Sequence, residues 1–302
     1  MKSERIISAI DIGSNTILML VAKDLGNKRY EILADKHSIA RLSEGLSETG
    51  VINDQAIERA KKILKEYKDV CDLFGVSTIK SVATSAIREA KNGTEVSLIL
   101  SNVIGFPIEI ISGEEEANLS FSGTIENEEN STVIDIGGGS TEFVNGENEE
   151  ILYKKSIKIG AVKITEKFFP KHPPNDNQIN HAIDYIEENL ETLNKSKLQG
   201  ILYAVAGTPT TLAAITKGVK EYDFNQINGI IITTNILTKL FEEFLSRSVQ
   251  DIVERYKIHP KRADVITAGT LLLRQILQFL QKDYFITSAK GLRFGVLKTI
   301  LN

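Results

Sequence analysis

Two short acidic turns carry the residue types that chemistry on a phosphate group requires. Ala9-Ile-Asp-Ile-Gly-Ser-Asn-Thr16 and Val133-Ile-Asp-Ile-Gly-Gly-Gly-Ser-Thr141 each run from an apolar stretch through Asp-Ile-Gly into hydroxyl-bearing residues. A glycine-rich tip lets successive backbone N–H groups point into one concavity and bind phosphate oxygens. Gly137, Gly138 and Gly139 offer this in the second turn, with Ser140 and Thr141 adding hydroxyl donors; Gly13, Ser14, Asn15 and Thr16 do the same in the first. Asp11 and Asp135 are hard oxygen ligands of the kind Mg²⁺ accepts, one or two carboxylates beside retained waters. The plainer reading is two tight turns in which Asp bonds local backbone. It suits one such turn better than two in matched contexts.

The segment after each turn decides between nucleotide folds. Ile17-Leu-Met-Leu-Val-Ala22 and Glu142-Phe-Val-Asn145 read as strands, so both turns are hairpin tips with an Asp at one rim. Rossmann and Walker loops must open a helix, and there is no GxxxxGK[ST] in the chain. The reading that survives is a pair of facing phosphate loops, one from each of two related halves.

Three other segments could add chemistry. Ser112-Gly-Glu-Glu-Glu-Ala117 lies after a strand and opens a helix. Acidic residues there ordinarily answer the helix dipole, but a carboxylate so placed could also orient or deprotonate water attacking a phosphoryl group. In Ala83-Thr-Ser-Ala-Ile-Arg-Glu-Ala90, Arg88 could reach phosphate as a permanently charged fork; Arg41 in Ala40-Arg-Leu-Ser-Glu-Gly-Leu46 has a weaker case of the same kind. The histidines His37, His172, His181 and His259 show no ligand spacing, and there is no GxSxG elbow or CxxC pair. The cationic pieces Lys154-Lys-Ser-Ile-Lys158 and His259-Pro-Lys-Arg262 would suit a polyanion, though solvated surface is their default.

The elements that must position these residues alternate strand and helix. Ile6–Ile12 and Ile17–Lys23 form a hairpin, and Arg29–Asp35 a third strand. Asn53 caps a helix in which Ile57, Ala60, Leu64, Tyr67, Cys71 and Phe74 recur at spacings of three and four, ended by Gly75. Next come a strand over Ser77–Ala83, a helix over Glu95–Ile104 and a strand over Ile108–Ser112. The second half repeats the order: a hairpin over Thr132–Val144, a strand near Leu152–Ile159, a helix capped by Asn175, then a strand over Gly200–Ala206 leading into a turn at Gly207-Thr-Pro-Thr-Thr211. This is an internal duplication of an α/β unit. The charged stretch 126–131 is the expected boundary. Beyond Thr234 the chain reads as mainly helical, with a last helix starting near Lys290.

Composition bounds the rest. The 302 residues are 42% hydrophobic and 25% charged, an ordinary globular balance and enough for two cores. A net charge of −4 argues against general DNA or RNA binding. The single cysteine, Cys71, cannot form an intrachain disulfide and falls on an apolar helical face, which points to a buried thiol in a reducing cytoplasm. Asp11 interrupts the apolar run after Met1-Lys-Ser-Glu-Arg5, so no signal peptide is expected, and no stretch approaches the roughly 18 apolar residues of a membrane span.

Taken together the motifs resemble the exopolyphosphatase/guanosine-pentaphosphate phosphatase family, within the actin-like ATPase and sugar-kinase superfamily. The resemblance runs over nearly the whole chain. It includes Asp11–Thr16, Asp135–Glu142, Ala83–Ala90 and Ile111-Ser-Gly-Glu-Glu-Glu-Ala117, then Ser156–Val162 with Thr165-Glu166, Ala206–Leu212 and Arg262–Gly269. It implies an α/β protein of two ribonuclease-H-like domains flanking a central cleft, residues 1–124 with 290–302 and residues 125–289, the last helix packing on the first domain. It implies hydrolysis of a terminal phosphate from inorganic polyphosphate or guanosine penta-/tetraphosphate, with Mg²⁺ or another divalent cation such as Mn²⁺. Glu116 falls on the family's catalytic glutamate, Arg88 on its phosphate-facing arginine, and Asp135 and Glu142 on its acidic, metal-associated positions. A homodimer is also implied. Ser43, Pro209 and Phe294 depart from the family pattern, and the additional C-terminal helical domains of longer relatives are lacking. Two rival readings remain at this level: a kinase using the same loops, and a non-catalytic nucleotide sensor or actin-like assembling subunit.

Overall fold

The computed structural model describes residues 5–126, 129–148, 150–220 and 223–301. Residues 1–4 of the charged start and residues 127 and 128 of the expected boundary lie outside these. In chain order the first part runs β1 (Arg5–Ile12), β2 (Thr16–Gly26), β3 (Arg29–Ile39), α1 (Leu46–Thr49), α2 (Asp54–Leu73), β4 (Thr78–Ala83), α3 (Ser85–Glu89), α4 (Gly93–Ile104), β5 (Ile108–Ile110) and α5 (Gly113–Thr124). The second runs β6 (Ser131–Ile136), β7 (Thr141–Glu147), β8 (Glu150–Ile157), α6 (Ala161–Phe168), α7 (Asp176–Leu190), β9 (Ile201–Val205), α8 (Gly207–Lys217), α9 (Phe224–Ile227), β10 (Ile231–Thr233), α10 (Thr234–Leu245), α11 (Val249–Tyr256), α12 (Pro260–Leu280) and β11 (Tyr284–Thr287), before α13 (Leu292–Ile300). The chain divides into unit 1, Met1–Gly123 with Gly291–Asn302, and unit 2, Thr124–Lys290.

Unit 1 holds one five-stranded mixed sheet in the order β3-β2-β1-β4-β5. The first three strands form an antiparallel meander, and β4 and β5 then add parallel to β1 by helical crossovers. Unit 2 holds a six-stranded sheet in the order β10-β11-β9-β6-β7-β8. Its β6, β7 and β8 repeat the meander, β9 and β11 repeat the parallel additions, and β10 is an extra antiparallel edge. The two units thus share one topology, as the repeated element order predicts.

Local chemistry explains most boundaries. Asn53 accepts from the Ala56 N–H at 2.9 Å to start α2, whose Ala56, Ala60, Ile63, Leu64, Tyr67 and Cys71 are buried; the spacing of three and four puts them on one face. Asn175 and Gln178 form a reciprocal capping box on α7. Gly105 ends α4 in the left-handed conformation. Cys71 is a buried free thiol. His37 bonds Asp35, His172 bonds Thr267, and His259 caps α12.

Two expectations are corrected. Gly207-Thr-Pro-Thr-Thr211 is the first turn and a half of α8 rather than a turn; Thr210 and Thr211 donate back to the Ala206 and Gly207 carbonyls, and a proline is tolerated where the first-turn N–H has no helical partner anyway. The stretch after Thr234 is mainly helical as expected, with β11 a four-residue strand within it. Finally, α12 is long and apolar enough to span a membrane by length and composition. Its Ile266, Leu271, Leu272, Leu273 and Ile276 are buried in the core of unit 2, so it is a core helix.

The last helix is fixed to unit 1 by charge as well as packing. Arg293, in the first turn of α13 and 3% exposed, grips Asp35 of β3 with Nε at 3.2 Å from Oδ1 and Nη2 at 3.1 Å from Oδ2. His37 adds a bond to Asp35 at 3.0 Å. Burial alone would raise the Asp35 carboxyl, but the His37 hydrogen bond and the Arg293 charge hold it below the usual carboxylate value of 3.8. Phe294 is buried, with the Arg293 guanidinium 5.0 Å from its ring centre. Gly123 of α5 and Gly295 of α13 permit a close approach: a Cβ at Gly123 would lie 2.2 Å from the Gly291 carbonyl, and one at Gly295 1.9 Å from that of Leu119.

Removing one partner of a buried ion pair leaves the other charge uncompensated. Arg293→Met is therefore expected to destabilise unit 1 by about 3 kcal/mol, read from denaturant dependence of hydrogen exchange in β1–β3; a loss below about 1 kcal/mol would contradict a structural role for the pair. In unit 2, burial pushes the His172 imidazole below its ordinary 6.5, partly opposed by a backbone hydrogen bond at Arg247. The unfolded chain then binds the proton more readily, so the contribution of neutral His172 is complete above pH 6.5 and declines as pH falls towards the lowered folded value. His259 titrates in the same direction. The melting temperature of unit 2 is expected to drop from pH 7 to pH 5, and His172→Asn should flatten that slope without abolishing it.

Candidate active site

Parallel strands gather the unit 1 candidates. Because β1, β4 and β5 run the same way, the segments leaving their carboxyl ends are neighbours, the place where open α/β sheets bind ligands. Thr84 N–H donates to the Ile12 carbonyl at 3.2 Å and Ile111 N–H to that of Ala83 at 3.1 Å. The β1–β2 tip, the start of α3 and the start of α5 therefore sit side by side.

The tip itself closes by a bond from Gly13 N–H to the Thr16 carbonyl, 2.9 Å. Among the described residues, the N–H groups of Ser14 and Asn15 meet no backbone acceptor. The Asn15 side chain is 6% exposed, and neither its Oδ1 nor its Nδ2 has a hydrogen-bond partner. A buried amide left without partners carries a cost, and this one lies on the tip itself. Asp11 lies on β1 opposite Leu18, two residues before the tip.

Arg88 and Glu116 meet in the same region. Arg88, in the last turn of α3, donates from Nη1 to the Ile111 carbonyl at 2.8 Å and to Glu116 Oε2 at 3.0 Å. Glu116 is 7% exposed. Within the acidic triplet the roles divide. Glu115 accepts from the Ser112 N–H and Ser112 Oγ accepts from the Glu115 N–H, a helix-starting box. Glu116 instead points to the arginine, so the helix-dipole reading suits Glu115 and not Glu116.

Unit 2 builds the second tip on β6 and β7. Gly137 N–H donates to the Ser140 carbonyl at 3.0 Å, the same closure as in the first tip. The carbonyls of Gly137 and Gly138 are held from behind by α6: Ala161 N–H donates to Gly137 O, and the Val162 and Lys163 N–H groups to Gly138 O. Gly138, Gly139 and Ser140 N–H groups meet no backbone acceptor among the described residues. Thr141 differs from the sequence expectation: it is fully buried, and its hydroxyl donates to the Ile159 carbonyl at 2.8 Å, so it fastens the hairpin rather than offering a donor at the surface.

Asp135 and Glu142 are directly paired residues across β6 and β7. Two carboxylates opposite one another repel. Ser156 Oγ offsets part of this by donating to Glu142 Oε1 at 2.7 Å, and Glu142 is 1% exposed. Such a donor set suits a hard divalent cation. No group of three or more His, Cys, Asp or Glu side chains clusters among the described residues, but Mg²⁺ needs only one or two carboxylates beside its waters. The sequence reading missed Ser156 and Gly160 as individuals, although both fall within the Ser156–Val162 motif. Asp11, Gly13–Thr16, Arg88 and Glu116 belong to unit 1; Asp135, Gly137–Thr141 and Glu142 belong to unit 2.

Two α/β units of one topology, each with a glycine-bearing hairpin tip beside a strand-borne aspartate, define the class of protein. Within it, the chain belongs to the Ppx/GppA phosphatase family, whose model matches residues 20–302. It is 34% identical, over 98% of its own length and 46% of the relative's, to the bifunctional 3-dehydroquinate synthase/phosphatase of Fusobacterium nucleatum, and so spans about half of that protein. It is 30% identical to exopolyphosphatase 2 of Mycobacterium tuberculosis over 91% of each chain. Among solved structures it is similar to the Aquifex aeolicus member of the Ppx/GppA family, with a TM-score of 0.81 and 32% identity over 98% of this chain and 97% of that one. An exopolyphosphatase from Cytophaga hutchinsonii gives a TM-score of 0.89 at 25% identity over 98% of each.

The second tip predicts a sensitive position outside it. A Cβ at Gly160 would lie 2.5 Å from the Gly138 carbonyl and 2.7 Å from that of Gly137. Gly160→Ala must push the tip outwards, and kcat/KM for phosphate release is expected to fall at least about tenfold, because sub-ångström misplacement is costly in phosphoryl transfer. A variant that folds, as judged by circular dichroism, with unchanged kcat/KM would remove the tip from the chemistry.

Proposed function

We propose that the protein is an exopolyphosphatase that removes the terminal phosphate of inorganic polyphosphate by in-line attack of water. The observation that carries this is the Arg88–Glu116 pair, 3.0 Å apart beside the first hairpin tip with its unpartnered Asn15 amide. Family membership and the likeness to an exopolyphosphatase over 91% of both chains support the substrate class. Guanosine pentaphosphate (pppGpp) is the second reading, because the family description covers both names.

The roles derive from charge and reach. In unit 1 the backbone N–H groups of Ser14 and Asn15, with the Ser14 hydroxyl and the Asn15 amide, are the phosphate-binding groups; in unit 2 the N–H groups of Gly138, Gly139 and Ser140, with the Ser140 hydroxyl, are a second such set. Glu116 accepts a hydrogen bond from the attacking water and takes its proton as the water oxygen bonds to the terminal phosphorus. The anhydride P–O bond breaks, orthophosphate forms, and the shortened chain keeps the bridging oxygen with its charge. Arg88 fixes the Glu116 rotamer and presents its remaining guanidinium N–H groups to the phosphoryl oxygens. Asp135 and Glu142, paired across β6 and β7, would hold the Mg²⁺, which when bound offsets phosphate charge; Asp11 occupies the matching position in unit 1. Catalysis is placement and electrostatics, with no covalent intermediate. A cytoplasmic setting, suited to the lone buried thiol of Cys71, and a homodimer complete the proposal.

One activity panel tests it: long-chain polyphosphate, tripolyphosphate, guanosine pentaphosphate and ATP, each with and without Mg²⁺, scored for free phosphate. Polyphosphate turnover that needs Mg²⁺ is expected. Glu116→Gln should lower kcat about 10²–10⁴-fold with folding and substrate binding retained. An active Glu116→Gln enzyme would sink the assignment, and phosphorylated acceptor in place of free phosphate would make the protein a kinase.

A further inference from the structure

The first hairpin tip does not hold its own shape, and the outermost residue that holds it, Arg59, lies on α2, outside both glycine-bearing turns and both catalytic segments. The segment after β3 folds back over the tip: Arg41 N–H donates to the Asn15 carbonyl at 2.9 Å and Ser43 N–H to the Ser14 carbonyl at 3.0 Å, with Ser43 Oγ adding a bond to Ser14 O at 3.3 Å. Arg41 makes these contacts at φ +53°. A long side chain in the left-handed region is strained and persists only where the surroundings over-determine it.

The over-determination comes from α2. Arg59 donates from Nε to the Ala40 carbonyl at 2.8 Å and from Nη2 to the Arg41 carbonyl at 3.4 Å, while Nη2 also meets Glu44 Oε2 at 2.5 Å. Asn53, the cap of α2, donates from Nδ2 to the Glu44 carbonyl at 2.9 Å. Ala40 and Leu42 are fully buried, which anchors the segment between these bonds. The segment is thus held from two sides: the carbonyls of 40 and 41 by the guanidinium, the N–H groups of 41 and 43 by the tip. A continuous relay of bonds runs from Arg59 through Arg41 to Asn15, whose buried amide has no hydrogen-bond partner among the described residues.

We infer that Arg59 is a positioning residue for phosphoryl transfer: it locks Arg41 in its strained conformation and so sets where Ser14 and Asn15 meet the reacting phosphate. This rests on the phosphate-binding function proposed for the Gly13–Thr16 tip. The two carbonyls are taken by different nitrogens of the guanidinium, Nε and Nη2, a fixed separation that the single nitrogen of an ammonium does not offer. The Glu44 carboxylate is the outer, 42% exposed partner; exposed ion pairs contribute little, and its loss leaves both carbonyl bonds in place.

Arg59→Lys and Glu44→Gln separate the two roles. Glu44→Gln removes the ion pair and keeps the fork, whereas Arg59→Lys keeps the positive charge but breaks the fork to Ala40 and Arg41. With tripolyphosphate and Mg²⁺, Arg59→Lys is expected to lose about 10–100-fold in kcat with KM within about threefold, because the tip holds the reacting phosphoryl group and not the rest of the chain. Glu44→Gln should stay within about threefold on both parameters, at a melting temperature no lower than that of Arg59→Lys. Site-resolved amide exchange supplies a readout free of substrate: the Arg41 and Ser43 N–H groups should exchange faster in Arg59→Lys and at the wild-type rate in Glu44→Gln. Equal activity in the two variants, or protected Arg41 and Ser43 amides in Arg59→Lys, overturns the inference. Should Arg59→Lys fail to fold, Arg59→Gln, with a shorter planar donor, carries the same comparison. If the wild-type enzyme releases no phosphate from any compound of the panel, the function reading fails, while the exchange data still judge the brace.

Discussion

A glycine N–H bonded to the carbonyl three residues further on closes both hairpin tips, Gly13 to Thr16 and Gly137 to Ser140. This one short bond uses a single donor and turns the next N–H groups outward, which is what an anion requires of backbone. It also fixes register: Ile12 faces Ile17 and Ile136 faces Thr141, so Asp11 and Asp135 fall at the same height below their tips. Strand pairing behind the tips tolerates no slip, because one residue of shift would turn the buried face outwards.

The tips are duplicated but their supports are not. In unit 2 the carbonyls behind the tip are capped by the first N–H groups of α6, with Gly160 leaving room for them. The first N–H groups of a helix have no partner within it and are free for this. In unit 1 a turn after β3 folds over the tip instead, and a strained arginine and a guanidinium fork do what the helix does in unit 2. The same backbone shape is thus stabilised by two unrelated sets of contacts, as expected if the turn is the constrained feature and its surroundings were free to diverge.

Parallel strand order does the remaining gathering. Glu116 lies far along the chain from Asn15 and Arg88 sits between them in sequence, yet all three leave the carboxyl ends of adjacent strands in one sheet. The Arg88–Glu116 contact then distinguishes three consecutive glutamates that composition treats alike. Glu115 satisfies backbone at the start of α5, while Glu116, one helical step round, faces the cluster. A step of one residue on a helix is about 100° of rotation, so neighbours in sequence can face different tasks.

The sequence by itself determined the α/β class, the duplication, the hairpin tips and the helix starts at Asn53 and Asn175. These rest on local rules: apolar periodicity, glycine at a turn, an amide side chain at a cap. It also carried the family, through several motifs taken jointly. Only the tertiary structure decided that Thr141 gives its hydroxyl to Ile159, that Gly207–Thr211 is helical, that β11 inserts into the sheet, and that Ser156 bonds Glu142 and Arg59 bonds the Ala40 and Arg41 carbonyls. Most of these are contacts between segments distant in sequence, where the partner's position, not the residue's own propensity, sets the outcome. Propensity acts within a few residues of itself; a hydroxyl or a guanidinium bonds wherever folding brings it an acceptor.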